Sequence, residues 1–124
     1  MLPDARVLIV DDDRLMRLRT RRMLGLMAIT KVVDVENGGL ALQLFWHAPS
    51  AFDLIICDWN MPLMSGVDVC KQIRAARPTL PFIMVTARLD LMSVQTAKES
   101  GVSAYIAKPF SAQQLLAKLS AVLE

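Results

Sequence analysis

Two cysteines and one histidine in 124 residues are too few, and too far apart, for a secreted disulfide framework or a zinc site. Cys57 falls in a strand-like run and Cys70 in a helix-like one, so both are expected as reduced core residues. His47, near Pro49, reads as a solvated loop histidine rather than a phosphodonor or metal ligand. No apolar run approaches the roughly 20 residues that a membrane span requires. The opening Met1-Leu2-Pro3-Asp4-Ala5-Arg6 lacks the layout of a signal peptide, so the expected compartment is the cytoplasm. Low-complexity tracts and internal repeats are missing as well. The net charge of +2 is too small to argue for nucleic acid. Arg14, Arg17, Arg19, Arg21 and Arg22 crowd one helix and read as a solvated face.

What is present is a globular profile, 54% hydrophobic and 21% charged, of a length that fits one compact domain over residues 1–124. Five short apolar runs alternate with five amphipathic segments. The strands are expected at Arg6 to Val10, Lys31 to Val35, Leu54 to Cys57, Pro81 to Val85 and Ala104 to Ala107. The first helix runs from about Arg14 to Met27, with Met16, Thr20, Met23, Leu24 and Met27 at helical spacing as its buried stripe. The second follows Asn37 as N-cap through Trp46, with Leu40, Leu44 and Phe45 inward and Trp46 partly packed. Helices from Gly66 to about Ala76, from Leu91 to Ser100 and from the cap Ser111 to Leu123 complete the series, with Asp90 capping the fourth and Gly101 ending it. Eight methionines read as adaptable packing. This alternation implies an α/β fold, a doubly wound parallel sheet covered by helices on both faces.

In open α/β sheets ligands bind beyond the carboxyl ends of the strands. The polar residues at those ends are Asp11 and Asp12 after strand one, Asp58 after strand three, Thr86 after strand four and Lys108 after strand five. An ionised carboxylate at the mouth of an apolar strand is costly unless solvated, paired or bound to metal. Three acids sharing one rim suit a hard divalent cation, Mg²⁺ with Mn²⁺ as a substitute. A phosphoryl group transferred to Asp58 would find Asp11 and Asp12 on the metal, a hydroxyl at Thr86 and a compact positive charge at Lys108. Taken singly, Asp12 also reads as a helix N-cap, Thr86 as a strand-end hydroxyl, Lys108 as a surface lysine and Asp58 as a turn residue. Their joint placement at strand ends is what separates the two readings.

These pieces resemble the receiver domain of two-component response regulators over essentially the whole chain: Val7-Leu8-Ile9-Val10-Asp11-Asp12, Asp53 to Pro62 with Gly66, Val85-Thr86-Ala87 and Lys108-Pro109-Phe110. Asp58-Trp59-Asn60-Met61-Pro62 and Tyr105, three residues before Lys108, are similar to the stand-alone chemotaxis-type regulator. The resemblance implies a flavodoxin-like fold with strand order 2-1-3-4-5 and a cis Lys108-Pro109 bond. It implies that Asp58 accepts a phosphoryl group from a sensor kinase phosphohistidine or a phosphotransfer protein. Mg²⁺ would be held by Asp11, Asp12, Asp58 and the backbone carbonyl of Asn60, with Thr86, the Ala87 N–H and Lys108 on the phosphoryl oxygens. Thr86 and Tyr105 would be the switch, reshaping a face of the fourth helix, fifth strand and fifth helix that binds a downstream protein.

A monomer or weak dimer is expected, with no nucleic acid or membrane partner and no enzymatic activity beyond autophosphorylation from small donors and autodephosphorylation. Arg88 stands where the chemotaxis protein is acidic, at a position tied in the family to acyl-phosphate lifetime, and it is the expected rate modulator. The fourth helix, with Met92, Val94 and Gln95, also departs from that relative, which leaves the flagellar motor in doubt as target. Asp11-Asp12-Asp13 also offers the Asp-x-Asp of a haloacid-dehalogenase-type phosphatase, with Asp11 as nucleophile and Asp13 as acid/base. That family wants a further acidic pair after the lysine, and Glu124 is the only acid beyond Lys108. Two other readings are an interaction module without phosphorylation and a receiver fragment of a longer regulator. No linker or helix-turn-helix follows Leu123, so a complete chain would act through protein binding.

Overall fold

The computed structural model describes residues 2–87 and 90–124. After a 3-10 turn at Leu2–Asp4, the described residues alternate β1 (Arg6–Val10), α1 (Arg14–Leu26), β2 (Lys31–Val35), α2 (Gly38–His47), β3 (Leu54–Asp58), α3 (Gly66–Ala76), β4 (Phe82–Thr86), α4 (Leu91–Ser100), β5 (Ala104–Ala107) and α5 (Ala112–Leu123). The strands form one parallel sheet in the order β2-β1-β3-β4-β5, as the resemblance implied. The Lys108-Pro109 bond is cis. No helix among the described residues is long and apolar enough to cross a membrane.

The three central strands are apolar on both faces, and their period of two divides the core. Leu8, Val10, Ile55, Cys57, Phe82 and Met84 point to one side, where Ala41, Leu42, Phe45, Val69, Cys70, Ile73 and Ala97 of α2, α3 and α4 cover them. Val7, Ile9, Leu54, Ile56, Ile83 and Val85 point to the other, against Leu24 of α1 and Leu115 and Leu119 of α5. Both cysteines are buried and free, as expected.

Helix caps follow from side chains that satisfy orphan N–H groups. Asn37 accepts from the Leu40 N–H, Asp90 from the Ser93 N–H, and Ser65 and Ser111 each form a capping box, with Asp68 and Gln114. Gly101 ends α4 at φ 96°, a left-handed value suited to glycine. Asp12 does not cap α1. The helix starts at Arg14, so the cap is Asp13, whose carboxylate accepts from the N–H groups of Leu15 and Met16. The predicted α1 stripe holds: Thr20 and Leu24 are buried, and Met16, Met23 and Met27 pack against the same cluster.

On α2 the inward face is Gly38, Ala41, Leu42 and Phe45. Leu40 and Leu44, expected inward, are each 38% exposed, and Trp46 is 54% exposed. Gly38 explains the rotation: a Cβ there would lie 2.6 Å from Val69 Cγ2, so the side of α2 that carries Gly38 is the one that can approach α3. Strands β3 and β4 each end one residue later than predicted, because the ladder continues through the pairs Asp58↔Val85 and Thr86↔Ala107. The polar residues at these mouths are therefore backbone-paired strand residues, held more rigidly than loop residues.

Candidate functional site

The carboxyl ends of β1 and β3 are adjacent in the sheet, which brings Asp11, Asp12 and Asp58 together. One oxygen from each carboxylate lies within 4.8 Å of the others. Asp11 and Asp58 are each only 6% exposed, while Asp12 faces solvent. Lys108, arriving from the far edge of the sheet after β5, places Nζ 3.1 Å from Asp58 Oδ1 and 3.4 Å from Asp11 Oδ2. The other Asp11 oxygen, Oδ1, accepts from the Asp13 N–H at 2.9 Å.

Burial is the largest influence on both buried acids and raises their pKa values. For Asp58 the Lys108 hydrogen bond pulls downward while the charge of Asp11 pushes further up. For Asp11 the Asp13 N–H and Lys108 pull downward and Asp12 pushes up. In each case burial and the neighbouring negative charge prevail, and the carboxyl holds its proton more tightly than usual. Burial works against the charge of Lys108, but its hydrogen bond to Asp58 and the charges of Asp11 and Asp58 outweigh that and raise its pKa. The site thus has a surplus of negative charge that a single lysine does not neutralise. Three converging carboxylate oxygens, two of them buried, fit a hard divalent cation, which prefers oxygen ligands and would relieve the repulsion.

Thr86, at 2% exposure, ends β4 beside the site, and its carbonyl accepts from the Lys108 N–H at 2.9 Å. Ala87 is exposed immediately after it, and Asn60 is exposed two residues past Asp58. Arg88 lies outside the described residues. Tyr105 sits on β5, away from the carboxylates, partly buried against the α2–α4 side of the core; Lys118 Nζ of α5 is 5.7 Å from its ring centroid, within cation–π range. Asp13, the acid/base of the phosphatase reading, is committed to capping α1 and points its carboxylate at backbone N–H groups. The Asp58-to-Gly66 turn is closed by the Gly66 N–H donating to the Trp59 carbonyl at 2.9 Å, with Trp59 7% exposed under it.

One participant was not visible in the sequence. The arginines of α1 are expected to form a solvated face, yet the Arg17 side chain is 15% exposed. The Arg17 Nη1 donates to the backbone carbonyl of Asp11 at 2.8 Å and its Nε to Asp34 Oδ1 at 3.2 Å. Arg21 joins the same carboxylate. Asp34 is held below the usual carboxylate range chiefly by its hydrogen bond to Arg21, with Arg17 adding to the effect. The only sequence signal is an acid inside a strand that is otherwise apolar after Lys31, Asp34 in Lys31-Val-Val-Asp-Val35.

Comparison with known proteins places this geometry. The response regulator receiver domain family matches residues 7–120. The chain is 36% identical to the chemotaxis protein CheY of Pseudomonas aeruginosa over 121 residues, covering 96% of each protein. It is also 36% identical to chemotaxis protein CheY-3 of Vibrio cholerae, covering 96% of this chain and 92% of the relative. Among solved structures, Vibrio cholerae CheY4 superposes with a TM-score of 0.87 at 32% identity, over 95% of this chain and 98% of that one. A receiver domain protein of Clostridium thermocellum superposes at 0.86 with 27% identity, over 96% and 94%. The chain belongs to the response regulator receiver domains, signalling proteins of the phosphoacceptor type, and its likeness is to the chemotaxis regulators among them.

Proposed function

We propose that residues 1–124 form a single stand-alone receiver domain in which Asp58 is the phosphoacceptor of a two-component pathway. The observation that carries this reading is the convergence of three carboxylates with one lysine bridging two of them. Asp11, Asp12, Asp58 and the Asn60 backbone carbonyl would hold Mg²⁺, or Mn²⁺ in its place. When bound, the cation neutralises charge on the equatorial phosphoryl oxygens. A carboxylate oxygen of Asp58 attacks phosphorus in line with the leaving group. The P–N bond of a donor phosphohistidine breaks, its electron pair returns to the imidazole nitrogen, and that nitrogen takes up a proton.

Lys108 then exchanges its bond to Asp58 Oδ1 for a phosphoryl oxygen, with Thr86 and the Ala87 N–H donating to the others. Hydrolysis of the acyl phosphate resets the site: a water oxygen attacks phosphorus, the bond from phosphorus to the Asp58 oxygen breaks, its electron pair returns to the carboxylate, and inorganic phosphate leaves with the proton of the water. Thr86 moves toward the phosphoryl oxygen and Tyr105 swings inward, reshaping the face made by α4, β5 and α5, which binds a downstream protein and gives a chemotaxis-like output. The kinase, or a phosphotransfer protein, meets the domain in the cytoplasm, with the domain a monomer or weak dimer. Arg88 sets the acyl-phosphate lifetime, so Arg88→Ala should change the dephosphorylation rate; an unchanged rate removes it from the mechanism.

Mapping the residue labelled by acetyl phosphate with Mg²⁺ tests the assignment. Label on Asp58 is expected. Label on Asp11 would favour the phosphatase reading, and no label on wild type under conditions that label other receivers would count against both.

A further inference from the structure

The geometry points to Arg17 as a positioning residue for the metal site, acting through the backbone of Asp11. The inference rests on the proposal that Asp11 is a metal ligand. Arg17 begins the second turn of α1, so its side chain lies back over the helix start. There the guanidinium serves two acceptors: Nη1 donates to the Asp11 carbonyl at 2.8 Å, and Nε to Asp34 Oδ1 at 3.2 Å. Asp34 is on β2, whose next residue, Val35, accepts the Asp11 N–H at 3.1 Å through its carbonyl. Both backbone polar groups of Asp11 are therefore tied to the β2 side of the sheet, one directly and one through Arg17.

The carboxylate that hangs from this clamped backbone has its own restraint, the Asp13 N–H on Oδ1 at 2.9 Å. The arrangement matters because Mg²⁺ demands near-ideal octahedral geometry with short bonds and penalises small displacements of a ligand. Partners one bond removed from the ligand shell commonly control affinity for this reason. Only a planar, forked donor reaches a carbonyl and a carboxylate from one rigid group. Arg21 binds the same Asp34 carboxylate, and among the hydrogen bonds of the described residues only Arg17 of the two reaches Asp11, so Arg21 supplies an internal control with equal charge.

The test compares Arg17→Ala and Arg21→Ala by Mg²⁺ titration of Trp59 fluorescence, and by hydrogen exchange at the Asp13 amide without metal. Arg17→Ala should weaken Mg²⁺ binding by about tenfold, the usual scale for such outer partners, and speed exchange at Asp13. Arg21→Ala should stay within about twofold of wild type in both. Equal weakening by the two variants would mean charge loss alone and would overturn the inference, as would wild-type affinity in Arg17→Ala. Should the alanine variant fail to fold, Arg17→Lys keeps the charge without the fork and should still lose about threefold; wild-type affinity there would likewise overturn it. If wild type itself ignores Mg²⁺, the metal-site reading fails, while Asp13 exchange in the metal-free proteins still decides whether Arg17 holds the loop.

Discussion

Asp58→Asn is expected to abolish Mg²⁺-dependent labelling by acetyl phosphate and, in the same protein, to raise the melting temperature without metal. The first effect follows from removing the attacking oxygen's charge: an amide is not a nucleophile toward phosphorus under these conditions. Loss of a ligand and a unit of negative charge should also weaken Mg²⁺ by at least about tenfold.

The second effect follows from the raised pKa of Asp58, which burial causes first and the charge of Asp11 increases. A carboxyl whose folded pKa exceeds its unfolded value binds its proton more tightly when folded, so its ionised form at neutral pH opposes folding. That cost disappears as pH falls through the raised value toward the unfolded value of about 3.9. Asparagine removes it at every pH. A gain of a few degrees near pH 7, what about 1 kcal/mol produces in a domain of this size, should shrink toward pH 4. Added Mg²⁺ should stabilise wild type more than the variant. At lower pH the sign reverses for Asp34 and Asp53, whose pKa values are lowered by Arg21 and Arg6 respectively. Their contributions are present above about pH 4 and lost below it in both proteins.

Gly66→Ala should be the most damaging small change near the site. A Cβ at Gly66 would lie inside contact distance of the Asp58 carbonyl oxygen, 2.7 Å from Met84 Sδ and 3.0 Å from Trp59 Cα. Two of these three are backbone atoms, and Met84 is fully buried, so little can yield. Alanine's better helix propensity offsets at most about 1 kcal/mol. Overpacking should leave a net loss of about 2 kcal/mol, near the middle of the usual range, and lower the melting temperature by roughly 8 °C. Because the displaced carbonyl belongs to Asp58, Mg²⁺ affinity should fall along with stability. A distant core change of equal thermal cost, such as Ile73→Val deepened to Ile73→Ala if needed, should leave Mg²⁺ affinity unchanged. Equal melting loss with unchanged Mg²⁺ affinity in Gly66→Ala would break the link between this glycine and the acceptor.

Much of this was legible in the sequence for a physical reason: the central strands are covered on both faces, so their apolar runs stand out and the polar residues ending them are conspicuous. Asp11, Asp12, Asp58, Thr86 and Lys108 all came from that contrast. The neighbours of these residues were harder to read. Three consecutive aspartates gave no way to tell which one caps α1, since the answer depends on where the first helical N–H groups lie. On α2, the apolar residues at 40, 41, 42, 44, 45 and 46 surround the helix, so no stripe identifies the buried side; the close approach of Gly38 to α3 does. The five arginines of α1 looked alike because what separates Arg17 and Arg21 from the rest is Asp34, on a strand reached only after the chain has turned back.

We propose the strand-end acids as a Mg²⁺-dependent phosphoryl-acceptor site centred on Asp58. Trp59 is its built-in reporter, adjacent to Asp58 and 7% exposed. In a Trp46→Phe background, which removes the second indole, Trp59 emission should change saturably with Mg²⁺. It should change again with beryllofluoride, a phosphoryl mimic, only when Mg²⁺ is present and only when Asp58 is intact. A Trp59 signal indifferent to both ligands in a folded protein, or a beryllofluoride response that survives Asp58→Asn, would contradict the account.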